Sequence, residues 1–170
     1  PRPVRPAPDA RAAVARAADA LAAPARPVLI AGRGAWLAGA SNALGRLADA
    51  AGAVTATTAL GRGVFPDEAH DLGVTGGFGA PGAMDLVRSA DVVVAIGASL
   101  SPFTMRFGEL LDPAARLIQV DVAATATHPR VGEYIRGAAR LVADMPADAV
   151  AARRPARGGR RGGHDLAPLP

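Results

Sequence analysis

Short apolar runs alternate along the chain with stretches that have helical periodicity. The runs are continuous rather than alternating apolar and polar, which is typical of strands covered on both faces of a parallel sheet. The clearest run is Val92–Ile96, and a short third strand near Leu72–Val74 and a sixth at Tyr134–Arg136 carry weaker signals. The other predicted strands are 28–31, 53–57 and 116–121.

Helical patterns fill the intervals between these runs. Val14, Ala18 and Leu21 recur on one face of a helix predicted over 10–23, which Asp9 can cap. A second helix is predicted over Ser41–Ala51, with Gly52 as its stop. Further helices are predicted near 83–89 and 138–152. Strands that alternate with helices indicate a doubly wound α/β fold, a Rossmann-like parallel sheet of about six strands with helices on both faces.

The length of 170 residues predicts one domain with extensions at both ends. Residues 1–8 are proline-rich and are predicted to be a linker, and 9–152 form the folded domain. Residues 153–170 are rich in arginine, glycine and proline, which predicts a disordered tail. Its arginines leave open a contact with an anionic polymer.

Composition excludes several kinds of site. The chain has no cysteine and no lysine, so disulfides, thiolate metal sites, a cysteine nucleophile, a P-loop lysine and a Schiff-base lysine are impossible. The net charge is +4, but the segment 27–150 holds nine arginines against twelve acidic residues. The basic character therefore lies at the ends, which argues against a nucleic-acid-binding domain. No apolar run is long enough for a membrane span, and a cytoplasmic protein is our interpretation.

Glycines follow the predicted strands at the edge where parallel sheets bind ligands. Gly32 and Gly34 follow the first strand, Gly61 the second, and Gly97 the fourth. They could let a phosphate or an adenine approach the backbone, or they could only make tight strand–helix turns. The dinucleotide fingerprint is incomplete, because Leu37 stands where the third glycine is expected. A simple NAD-dependent dehydrogenase is therefore disfavoured.

A few polar side chains near these glycines are candidates for ligand contacts. Asp121 ends a strand and could bind a ribose, or act as a turn aspartate. Arg33 could clamp a phosphate or be solvated. Asp67, Glu68 and His70 could bind a metal but are more typical of a solvated loop.

Neither nucleophilic catalysis nor a carboxylate pair is supported. The serines lack a Gly-x-Ser-x-Gly setting, and the acids are scattered. Trp36 follows the glycine turn and is predicted to cover the core edge or a subunit contact. No catalytic residue is predicted in this chain.

Taken in order, the segments resemble the central domain of thiamine-diphosphate-dependent enzymes, especially the acetolactate synthase and benzoylformate decarboxylase group. The likeness runs from about Asp9 to Ala152. The segments that carry it are Arg26–Gly34, Leu47–Val54, the loop from Thr57 to His70, Gly79, Ala90–Gly97, Ala115–Asp121 and Gly137.

The resemblance implies a three-domain parent enzyme. Its other domains would supply the glutamate that activates the thiazolium and the Gly-Asp-Gly motif that holds diphosphate and magnesium. No Gly-Asp-Gly occurs in this chain. The resemblance therefore implies a non-catalytic scaffold domain of a carboligase or 2-keto acid decarboxylase that acts as a homo-dimer or tetramer.

In some relatives this domain is of the type that binds NAD, FAD or ADP in a crevice. Carried over, the resemblance implies cofactor-binding positions at Gly32, Arg33, Gly34, Thr58, Ala59, Leu60, Gly77, Gly97 and Asp121. Flavin-binding relatives have an arginine two residues after Gly97, where this chain has Ser99, and often a second acid where it has Ala123. We therefore expect weak FAD or ADP binding or none. The alternative is a freestanding module that binds FAD, ADP or NAD.

Overall fold

The computed structural model describes residues 10–23 and 26–153, apart from the side chains at 141, 142 and 144–146. Six parallel strands form one sheet with the order β3-β2-β1-β4-β5-β6. The predicted doubly wound α/β fold is confirmed. The strands are β1 (Pro27–Ala31), β2 (Val54–Thr57), β3 (Asp71–Val74), β4 (Val92–Ile96), β5 (Arg116–Asp121) and β6 (Glu133–Arg136). The helices are α1 (Ala10–Ala22), α2 (Arg33–Leu37), α3 (Ser41–Ala51), α4 (Pro81–Arg88) and α5 (Ala139–Arg153).

Successive side chains of each central strand enter two different cores. Leu29 of β1 packs with α1, α3 and α5 on one face of the sheet. Ile30 faces the other side, which is covered by α4 and by the segment 98–111 that follows β4. Both side chains are fully buried, as expected for strands that are covered on both faces.

Alanine makes up most of the buried faces of α1 and α3. The buried face of α1 includes the predicted Val14, Ala18 and Leu21, together with four further alanines. Small side chains let the helices approach one another closely, and both α1 and α3 pack against α5.

The ends of α3 match the prediction. Gly52 adopts a left-handed conformation with φ of 58°, and the amide of Ala53 donates to the carbonyl of Ala48 at 2.9 Å. This is the helix stop that glycine provides, because it has no Cβ to clash in that conformation.

Other boundaries differ by one or two residues. Helix α4 begins at Pro81 rather than near 83, because proline fits the first helical turn, where no N–H partner is needed. Helix α5 runs to Arg153, one residue into the predicted tail. The linker at 1–8, the Asp9 cap and residues 154–170 lie outside the described residues. Among the described residues, no helix is both long and apolar enough to cross a membrane.

Candidate functional site

The carboxyl ends of β1, β2 and β4 lie at the same level. Ala31 at the end of β1 is in register with Thr57 of β2 on one side and with Ile96 of β4 on the other. The chain leaves β1 towards β2 and leaves β4 towards β5, so the strand order reverses between β1 and β4. This is the position where open α/β sheets bind ligands, and the predicted glycines do converge here.

The glycines after β1 and β4 pack directly against one another. The amide of Gly32 donates to the carbonyl of Ile96 at 3.0 Å, and that of Gly34 donates to the carbonyl of Gly97 at 2.9 Å. A Cβ on Gly32 would lie 2.4 Å from the Gly97 oxygen, and one on Gly97 would lie 2.3 Å from the Ala35 nitrogen. Protein backbone therefore fills the space that these glycines leave open.

The turn after β2 packs onto the same cluster. The amide of Thr58 donates to the carbonyl of Ala31 at 2.9 Å. A Cβ on Gly61 would lie 2.5 Å from that same oxygen and 3.0 Å from Gly32. Leu60, between them, is exposed. The structure thus brings together the predicted Gly32, Gly34, Thr58, Leu60 and Gly97.

Gly77 and Asp121 lie apart from this cluster, each with partners of its own. The Gly77 amide donates to the carbonyl of Phe103 at 3.2 Å, and a Cβ there would strike the Phe103 ring at 2.2 Å. Asp121 lies at the end of β5, one strand beyond β4, and its Oδ1 accepts the amide of Ala123 at 3.0 Å. That bond is typical of a turn aspartate.

Two amides of this turn are not free to bind a nucleotide pyrophosphate. Such a group needs free amides at the first strand–helix turn, and the amides of Gly32 and Gly34 are both donated to carbonyls of the β4 end. Helix α2 also has only five residues, so its dipole is small. Arg33 is exposed and has no ion pair in the described part of the chain, but it is a single cation without converging donors.

The loop that carries Asp67 and His70 is held by local bonds. Asp67 Oδ2 lies 3.0 Å from His70 Nδ1, and its Oδ1 accepts the amide of Ala69 at 2.9 Å. Among the described residues there is no group of three or more His, Cys, Asp or Glu side chains that could hold a metal ion.

Sequence reasoning missed Gln119, which connects two loops at the carboxyl end of β5. Its side chain is fully buried, and Nε2 donates to the carbonyl of Ala98 at 2.9 Å. Oε1 accepts the amide of Thr127 at 2.9 Å. The signal was present in the sequence, because a glutamine inside an apolar strand must find hydrogen-bond partners when buried.

Nearby, Tyr134 donates its hydroxyl to the carbonyl of Ala123 at 2.7 Å, and burial raises the pKa of that hydroxyl.

A polar cavity of about 310 Å³ lies at the opposite edge of the sheet. It is lined by residues before β1, β4 and β5, including Arg26 and Asp91, which form an ion pair at 3.0 Å. The hydrogen bond that the Arg26 guanidinium donates to the Asp91 carboxylate raises the pKa of Arg26. This cavity includes none of the predicted site residues.

A family description, thiamine pyrophosphate enzyme, central domain, matches residues 14–150. The chain belongs to the family of thiamine pyrophosphate enzyme central domains. The resemblance proposed from the sequence is thereby confirmed. The match covers β1 to β6 and most of α1 and α5.

The curated relatives of this central domain are much longer proteins. The chain is 33% identical over 132 residues to a protein of Methanocaldococcus jannaschii assigned as an acetolactate synthase large subunit, covering 77% of this chain and 22% of that protein. It is 39% identical over 123 residues to a sulfoacetaldehyde acetyltransferase of Rhodobacter capsulatus, covering 69% and 20%. The chain therefore spans about a fifth of the length of these relatives.

A solved structure supports the same fold. The benzoylformate decarboxylase of Polynucleobacter necessarius superposes with a TM-score of 0.69 at 22% identity, over 86% of this chain and 28% of that one. At this identity the likeness concerns the fold alone. The comparisons give no support to the alternative of a freestanding nucleotide-binding module.

The structure corrects the prediction for Trp36. This residue lies in α2, and 58% of it is exposed, so it does not cover the core edge. Its second predicted role, in a subunit contact, stays a prediction. The nine predicted cofactor-binding positions also stay predictions as ligand contacts, and Ala59 among them is exposed. Five of the nine have backbone amides that donate within the domain: Gly32, Gly34, Thr58, Gly77 and Gly97.

Proposed function

We propose that this central domain is a non-catalytic scaffold within a larger thiamine-diphosphate-dependent carboligase or 2-keto acid decarboxylase. The observation that carries the proposal is the family match over residues 14–150 in a chain that spans about a fifth of its relatives. Thiamine diphosphate, when bound, stabilises the carbanion left by decarboxylation. In the proposed parent its magnesium and activating glutamate belong to the flanking domains.

The role of this chain's own residues is then structural. The sheet and its two packed faces form a rigid spacer between the flanking domains, and its surface contributes to a dimer or tetramer of the parent in the cytoplasm. If FAD or ADP binds at the predicted positions in the parent, the ligand would contact side chains at the carboxyl edge, such as Arg33, rather than the glycine amides. We expect such binding to be weak or absent.

The gene that encodes the chain tests the proposal first. We expect the same open reading frame to encode a further domain with a Gly-Asp-Gly motif; a reading frame without one overturns the proposal.

An assay of the separate parts then tests the division of labour. The purified 170-residue chain, supplied with thiamine diphosphate and Mg²⁺, should release no CO₂ from pyruvate or benzoylformate. The full-length product should turn over a 2-keto acid under the same conditions. Turnover by the 170-residue chain alone would refute a scaffold role.

A further inference from the structure

All the large apolar side chains that are exposed in the described residues lie at one edge of the sheet. They follow the carboxyl ends of β1 to β5, and they include the only tryptophan and three of the four phenylalanines of the chain. We name this set the carboxyl rim: Trp36, Leu37, Leu60, Phe78, Phe103, Phe107 and Val122. Exposed apolar side chains that gather at one edge of a domain mark an interaction site, and tryptophan and phenylalanine are enriched at protein interfaces.

Two parts of the rim are ordered by contacts within the domain. Helix α2, which carries Trp36 and Leu37, packs against the turn that carries Leu60. On the other side, the rings of Phe78 and Phe103 meet edge to face, with their centroids 4.9 Å apart. These contacts form within the domain itself, so both parts of the rim are in place before any partner binds.

The backbone around Phe107 is held in an unfavourable conformation that displays its ring. Arg106 and Phe107 have φ of 48° and 53°, and Gly108 follows with φ of 103°. Left-handed conformations are costly for residues with a Cβ and cluster at functional sites. The result is a phenylalanine that is 79% exposed and contributes nothing to the core.

We propose that the carboxyl rim is the surface on which a flanking domain of the same polypeptide docks. This rests on the proposed function, because the flanking domain belongs to the proposed parent enzyme. A flanking domain is the expected occupant because about four-fifths of each relative lies outside the matched region. Arg33 and Arg106 stand beside the rim without ion pairs in the described part of the chain. The docked surface is therefore apolar at its centre and carries carboxylates near these two arginines.

Oxidative footprinting of the 170-residue chain and of the full-length gene product tests this contact. We expect Trp36, Phe78 and Phe107 to be oxidised readily in the 170-residue chain and about tenfold more slowly in the full-length protein, since a docked interface core excludes water. Phe65, which is buried within the domain, should react slowly in both. Equal oxidation of the rim in the two proteins overturns the proposal. Protection in the 170-residue chain by a second copy, or by added FAD or ADP, also overturns it.

Phe107→Ser separates docking from folding. In the 170-residue chain this change should leave the Tm within about 1 °C, because the side chain is exposed. In the full-length protein it should lower the Tm by at least about 2 °C, because it removes an interface contact. Arg88→Ser, an exposed position at the opposite edge, is the control and should change neither protein. A Phe107→Ser effect that is equal in both proteins refutes the docking.

The two proposals fail in different ways. A gene without a Gly-Asp-Gly domain overturns the proposed function and this inference with it. A full-length enzyme that is active but whose rim is as reactive as in the 170-residue chain leaves the proposed function intact and overturns only the docking surface.

Discussion

Gly97 and Gly39 have nearly the same backbone conformation but different surroundings. Their φ values are 60° and 61°, yet a Cβ on Gly39 meets nothing within 4 Å, whereas one on Gly97 lies 2.3 Å from the Ala35 nitrogen. Gly39→Ala should cost only the left-handed strain, about 1 kcal/mol. Gly97→Ala should cost about 3 kcal/mol or more, because the Cβ also forces backbone apart. Urea denaturation measures the free energy of unfolding of both variants. Equal losses would show that the close packing of Gly97 against the turn after β1 is unimportant.

Thr57 has the one buried side-chain polar atom without a hydrogen-bond partner among the described residues. Its hydroxyl lies at the carboxyl end of β2, and the residue is fully buried. Thr57→Val keeps the branched shape and removes the unpartnered oxygen, so it should stabilise the domain by about 1 kcal/mol.

Thr55 provides the matched control for that substitution. It lies two residues earlier in β2 and is also buried, but its Oγ1 donates to the carbonyl of His70 at 3.3 Å. Thr55→Val should therefore leave stability unchanged or reduce it by up to about 1 kcal/mol. Thermal unfolding followed by circular dichroism compares the two variants. A stabilised Thr55→Val beside a destabilised Thr57→Val would contradict the claim that the Thr57 hydroxyl lacks a hydrogen-bond partner and the Thr55 hydroxyl has one.

At the scale of elements, one ion pair joins α1 to the edge strand β6. Arg16 Nε donates to Glu133 Oε2 at 2.9 Å, and this hydrogen bond lowers the pKa of Glu133. A folded-state pKa below the unfolded value stabilises the fold above the unfolded pKa, and the contribution is lost as the pH falls through the folded pKa. Wild type should therefore be more stable than Glu133→Gln at pH 7.

The difference in free energy of unfolding between wild type and Glu133→Gln should become smaller in acid. This difference should begin to decrease near the ordinary glutamate pKa of about 4.3 and should be small below the lowered pKa of Glu133. Denaturant midpoints between pH 7 and pH 3 measure this dependence. Glu109→Gln is the control, since Glu109 is exposed and has no ion pair in the described part of the chain. A gap that stays constant with pH would show that the ion pair does not stabilise the fold.

The long elements could be predicted because each carries its own local signal. Helix α3 has its apolar face and a terminal glycine within a dozen residues, and β4 is a run of five apolar residues. Helix α2 was missed because its five residues include Gly34 and lack a repeating apolar face. The site was harder to predict, because a glycine after a strand has the same appearance in sequence whether it faces a phosphate or another glycine. Only the register of β1 with β4 shows that Gly32 and Gly34 face Gly97.

At the scale of the whole molecule, the packed turns after β1 and β4, where the strand order reverses, predict how the domain responds to nucleotides. The amides of Gly32 and Gly34 donate to backbone carbonyls at the end of β4, so binding a pyrophosphate to them would first have to break hydrogen bonds between the ends of β1 and β4. We therefore expect FAD, ADP and NAD at about 1 mM to raise the Tm of the 170-residue chain by less than about 1 °C, since a ligand whose Kd exceeds its concentration stabilises the folded state very little. Arg33→Ala should make no difference to that result. A shift of several degrees that Arg33→Ala abolishes would instead show a nucleotide site at the carboxyl edge, and would require the β1 and β4 turns to separate when the ligand binds.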